Sequence, residues 1–100
     1  MSYDVSLPNG EEINMTSNIR PMLDKAYGLQ DWKTIQFFPN SVVLQMTAIA
    51  ICRMRLDSDE YKKLNPENGW GSYEGAMRFL SEIFEACDEV DGKGGISIFS

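Results

Sequence analysis

The residues best suited to recognising something are neutral and polar, and they fall in two short segments. Asn14, Thr16 and Asn18 stand at alternate positions, so on an extended strand their side chains would converge on one side, near where that strand runs into a helix. The second segment is Asn68-Gly69-Trp70-Gly71-Ser72-Tyr73, in which glycines and free amides precede a helical pattern. Helix N-termini of this kind bind phosphate or carboxylate, and Arg78 lies close enough in sequence to assist. Against an anion, Glu67 and Glu74 flank the loop with the wrong charge, and neither a Walker lysine nor a G-x-G-x-x-G after a strand is present. The favoured expectation is that the glycines make a turn and Trp70 plugs the core. The alternative has Trp70 and Tyr73 stacking on a ligand or partner, since such residues dominate binding hot spots. For Asn14, Thr16 and Asn18 the favoured expectation is capping and the solvent side of a strand.

Other chemistries are harder to build. The chain has no histidine, which excludes Ser-His and Cys-His catalysis within it. Two scattered cysteines cannot supply a zinc site, and Asp57, Asp59 and Glu60 lack the glycine and spaced glutamate of a calcium loop. No cofactor or metal is expected. An enzyme would have to run on carboxylates, tyrosine or cysteine alone, and a non-catalytic protein is favoured. Fifteen acidic against 9 basic residues give a net charge of −6, so the averaged field repels nucleic acid and anionic lipid. The acidic helix face from Glu74 to Glu89 is read as a solubilising surface, with charge mimicry of nucleic acid as the sharper alternative. No apolar run approaches the roughly 20 residues that cross a bilayer, and no basic stretch followed by an apolar one opens the sequence. Cys52 and Cys87 sit among apolar residues as free thiols, so the expected compartment is a reducing cytoplasm.

The elements that must position these residues follow from periodicity. One hundred residues with 43% hydrophobic content suit a single domain. Residues 3 to 16 predict a β-hairpin. A two-residue loop would mix the faces, whereas a three-residue loop pairs Leu7 with Glu11, Val5 with Ile13 and Tyr3 with Met15. Pro8 and Asn9 suit a type I turn and Gly10 the left-handed bulge position. A helix over about 19–27 follows, capped by Ser17 or Asn18, with Pro21 in its first turn and Gly28 as its stop. Residues 29–40 are irregular and partly buried. The stretch 41–56 is apolar nearly all round and predicts a helix covered on most sides, its Arg53 and Arg55 complementing the dipole at its end. Asp57 to Glu60 resembles a capping box for a short helix over about 58–64, and residues 65–71 form a loop. Ser72 then caps a helix over 72–90 whose stripe is Tyr73, Ala76, Met77, Leu80, Ile83, Phe84, Cys87 and Val90. Arg78 stands four residues from both Glu74 and Glu82, spaced for ion pairs. After a break at Gly92 to Gly95, residues 95–99 alternate as a last strand. The expected fold is α+β: an N-terminal β-hairpin plus the C-terminal strand in a small antiparallel sheet, covered on one face by three to four helices. The exposed hairpin edge and the aromatics between residues 27 and 38 leave a homodimer open.

Asn14-Met15-Thr16-Ser17-Asn18-Ile19-Arg20-Pro21-Met22, together with Asn65-Pro66-Glu67-Asn68-Gly69-Trp70-Gly71-Ser72-Tyr73-Glu74-Gly75-Ala76 and Phe79-Leu80, resembles a family of small uncharacterised proteins of bacteriophages and bacteria, including actinobacteria. The order of elements matches end to end, and the two segments carry the residue-level likeness. The resemblance implies a phage or mobile-element accessory gene and no established activity. The residues themselves favour a non-catalytic binding or interaction protein acting on a protein partner or a small molecule, centred on Asn14, Thr16, Asn18, Asn68, Trp70 and Tyr73, and the phage setting that the resemblance implies adds a host-directed or counter-defence role in the host cytoplasm. The alternative is a module that sequesters an anionic metabolite or nucleotide on the amides of Gly71 to Tyr73 and Arg78.

Overall fold

A computed structural model describes residues 2–90 and 95–99. The hairpin consists of β1 (Ser2–Ser6) and β2 (Glu12–Thr16), paired antiparallel with Tyr3 opposite Met15 and Val5 opposite Ile13. The Leu7 amide donates to Glu11 O at 2.8 Å and Gly10, at φ +90°, donates to Leu7 O at 3.0 Å, which closes the bulged loop expected from Pro8-Asn9-Gly10. β3 (Ser97–Phe99) joins the other side of β1, giving the sheet order β2-β1-β3. Its bounds are shorter than predicted, with Ile96 buried just ahead of it; residues 92–94 of the break predicted at Gly92 to Gly95 lie outside the described residues. Tyr3, Val5 and Ile98 point into the core, while Asp4, Glu12 and Phe99 face outward. The Ile98 amide donates to Gln36 Oε1 at 3.2 Å, so a side chain from the stretch 29–40 occupies part of the outer edge of β3.

Helices fill one face of the sheet. The cap before the first of them is Thr16, not Ser17 or Asn18: its hydroxyl accepts from Asn18 N at the start of a 3-10 turn over Ser17–Ile19. That turn leads into α1 (Arg20–Tyr27), with Pro in its first turn, and Gly28 at φ +70° ends it. Residues 29–40 are more ordered than the sequence suggests. Asp31 caps a 3-10 helix over Trp32–Phe37, and Asp24 Oδ1 accepts the Trp32 amide at 2.7 Å while Asp24 Oδ2 accepts from Arg20 Nε at 3.2 Å. These bonds seat Trp32 in the centre of the core. Its ring stacks on Tyr27 and meets Tyr3 and Phe79 edge-on, with centroids 5.1 to 6.4 Å away.

α2 (Asn40–Leu56) packs against α1 and against α4 (Tyr73–Glu89), with the short α3 (Ser58–Lys62) between them. Three departures concern these helices. α2 is not covered on most sides: Val43, Thr47, Ala50 and Met54 are buried, whereas Val42, Ile49, Cys52 and Leu56 are exposed. Arg53 and Arg55 do stand in the last turn of α2, as expected, and Arg53 Nη1 also donates to Ala26 O at 3.0 Å, one of the last carbonyls of α1. Asp57 stands at the N-cap of α3 without a side-chain capping bond, so no capping box forms there. In α4, Ser72 caps as expected through Gly75 N at 3.0 Å, but the buried stripe is turned to take in Phe79 and Ala86, leaving Phe84 half-exposed. Tyr27 Oη and Thr47 Oγ1 share a buried hydrogen bond of 2.9 Å between α1 and α2, and burial pushes the Tyr27 phenol far above its ordinary range. Among the described residues no helix is long and apolar enough to cross a membrane.

Candidate functional site

Both polar segments meet at one end of the molecule. The hairpin ends β2 at Thr16, and the loop 65–71 returns the chain to that same end before α4 begins. Contact between them is close: a Cβ on Gly71 would stand 2.6 Å from Ile19 Cγ2 and 2.8 Å from Thr16 Cγ2. The loop is stiffened from within. Gly69 N donates to Pro66 O at 3.2 Å, Asn68 Oδ1 accepts Trp70 N at 3.0 Å, and Gly69 and Gly71 take φ of +77° and +102°. Asn65 Oδ1 accepts the Tyr73 amide at 2.8 Å, tying the loop's start to the start of α4.

The result is a cavity of about 680 Å³ lined by Ser2, Asn14, Thr16, Asn18, Asn68 and Trp70. Five sequence candidates thus share one site, and Ser2 is the lining residue that sequence reasoning missed. Ser2 pairs with Thr16 across the hairpin, so the predicted register already placed it there. Trp70 does not plug the core. It is 70% exposed, because glycines on both sides swing the indole outward and Trp32 already occupies the core position. Tyr73 and Arg78 are not among the lining residues. The Tyr73 hydroxyl donates to Met54 O at 2.7 Å and Lys62 Nζ lies 5.2 Å over its ring, so Tyr73 ties α4 to α2 and α3. Arg78 is exposed, and neither Glu74 nor Glu82 pairs with it among the described residues.

Hydrogen bonds within the site fix what it presents. Asn14 Nδ2 donates to Ser2 Oγ at 3.1 Å and to Asp4 Oδ1 at 2.7 Å, which uses both of its protons and turns Asn14 Oδ1 outward as an acceptor. The Asn68 carbonyl is engaged by Trp70 N, so its NH₂ remains to donate. Thr16 Oγ1 accepts from Asn18 N at 3.4 Å and keeps its own proton. The Asn18 side-chain amide makes no hydrogen bond among the described residues. No family model, curated protein or solved structure matches the chain. The lining is polar and neutral apart from Trp70. Its described residues offer amide and hydroxyl hydrogen bonds beside one open indole face, with no charged side chain among them. An uncharged group carrying a donor and an acceptor side by side, with a flat or apolar face against Trp70, satisfies that set.

The helix N-terminus is a weaker anion site than its glycines suggest. The Tyr73 amide is bonded to Asn65, the Gly75 amide to Ser72 Oγ and the Ala76 amide to Ser72 O.

Proposed function

We propose that this is a non-catalytic binding protein of phage or mobile-element type, acting on a host component in the host cytoplasm through the cavity between the end of β2 and the loop 65–71. The observation that carries the reading is Trp70, a large aromatic 70% exposed beside a polar cavity on a stiffened loop. Exposing an indole forgoes burial worth roughly 2 to 3 kcal/mol, and such residues anchor interfaces. The phage setting and a counter-defence role rest on the resemblance of the two polar segments. The sequestering alternative is favoured less, because the Tyr73 amide, one of those it needs, is engaged by Asn65 and Arg78 lies outside the cavity lining.

The test is a binding screen against host lysate and against uncharged small molecules, repeated with Trp70→Ala and Asn68→Ala. Trp70→Ala is expected to leave stability within about 0.5 kcal/mol of the parent and to cost roughly 2 kcal/mol of binding, about a thirtyfold loss of affinity. A binder that both variants retain at full affinity sinks the assignment of the site.

A further inference from the structure

α2 has no acidic residue from Asn40 to Leu56, and only one side of it faces the core. On the opposite side Val42, Gln45, Ile49, Cys52 and Leu56 follow one another at intervals of three and four residues, the spacing of a helix that packs on another helix. This stripe is open to solvent: Val42 is 38% exposed, Ile49 51% and Leu56 89%. Beside it a groove of about 310 Å³ runs between α2 and α4, with Ile51, Cys52 and Phe84 supplying much of its apolar lining. The two helices are antiparallel, since Tyr73 at the start of α4 bonds Met54 near the end of α2. Arg55 and Glu85, which also line the groove, therefore stand toward its opposite ends.

We infer that a second copy of this chain docks on this face, α2 against α2 in antiparallel sense, with Ile49 at the two-fold axis and Val42 against the partner's Leu56. Three observations select a second copy. The apolar ends of the stripe, Val42 and Leu56, lie equally far from Ile49 in sequence, so an antiparallel copy sets them against each other. A groove with opposite charges toward its two ends is complementary to itself under a two-fold axis, which brings each Arg55 to the partner's Glu85. A chain of net charge −6 meets its own copy with least repulsion where acidic side chains are missing, and α2 is such an element.

Sedimentation of the full chain over a dilution series should show a species at twice the 11.3 kDa chain mass. Ile49→Glu and Leu56→Glu should each raise the dimer dissociation constant by about a hundredfold, through a charge buried without a partner. Leu56 is so exposed that its substitution leaves the fold intact, which circular dichroism checks. Arg55→Glu should weaken the dimer severalfold, and adding Glu85→Arg should restore it, a rescue that only pairing between copies produces. In a Cys52→Ser background, Ile49→Cys should form a disulfide with itself. Leu56→Cys should form one only with Val42→Cys, because two copies of residue 56 would lie roughly 20 Å apart along the helices. A monomer at every concentration, a dimer indifferent to Ile49→Glu, or self-crosslinking of Leu56→Cys each overturns the arrangement.

Discussion

Replacing Gly71 by alanine tests whether the loop carrying Trp70 is held by its fit against the strand end. The perturbation has two parts. Gly71 has φ +102°, a conformation that costs a residue with a Cβ roughly 1 to 2 kcal/mol. The new methyl would also come within 2.6 Å of Ile19 Cγ2 and 2.8 Å of Thr16 Cγ2, and Ile19 is wholly buried with little room to retreat. Such overpacking costs roughly 1 to 3 kcal/mol, so the total is about 3 kcal/mol. For a domain of this size each kcal/mol moves the melting temperature by roughly 4 to 8 °C, which predicts a fall of roughly 12 to 24 °C. Gly69→Ala is the internal control: its φ is +77°, yet nothing lies within 4 Å of its added Cβ. It should lose only the backbone part, about 1 kcal/mol or roughly 4 to 8 °C. Thermal melts followed by far-UV circular dichroism read both. Equal losses for the two variants, or an unshifted melt for Gly71→Ala, would refute the claim that Thr16 and Ile19 form the seat of the loop.

Trp32→Ala should cost roughly 3 to 5 kcal/mol in denaturant unfolding, because the indole is fully buried among Tyr3, Tyr27 and Phe79; a loss below about 1 kcal/mol would contradict that placement. Alkaline pH should destabilise the fold through Tyr27. Burial raises its folded pKa, so the unfolded chain gives up the proton first, and the stability present below about pH 10 falls as pH rises past it. Tyr27→Phe should flatten that alkaline slope, and an unchanged slope would assign it elsewhere. A thiol reagent should modify the exposed Cys52 quickly and Cys87 only slowly, since burial closes off the Cys87 thiol and raises its pKa; equal rates by mass spectrometry would argue against the packing of α4.

Local signals carried much of the architecture into the sequence. The hairpin register was legible because one pairing alone put Val5, Ile13, Tyr3 and Met15 on a common face, and because Gly10 suited the bulge. Ser72 and Gly28 marked helix ends through chemistry that acts within a few residues. The convergence of Asn14, Thr16 and Asn18 with Asn68 and Trp70 was half legible. Alternation showed the first three on one side of a strand end, but bringing the loop to them requires a contact across more than fifty residues, made by Gly71 against Thr16 and Ile19.

On what fills the core, the sequence reading failed through competition between similar residues for one place. Trp32 and Trp70 are the same side chain, and either could have plugged the core. Tertiary structure chose Trp32, because Asp24 binds its amide and three rings surround it, while glycines at 69 and 71 turn Trp70 outward. Composition likewise could not say which side of α2 would be covered, since Val43 and Val42 are chemically alike; the packing of α1 and α4 buried the first and left the second exposed. The sequence by itself determined the main helices and strands, the hairpin register and the helix ends at Gly28 and Ser72, because these depend on backbone preferences and near neighbours. Only the tertiary structure decided which aromatic is core, which helix face is open and which polar residues meet, because those outcomes depend on how a limited interior volume is shared among distant parts of the chain.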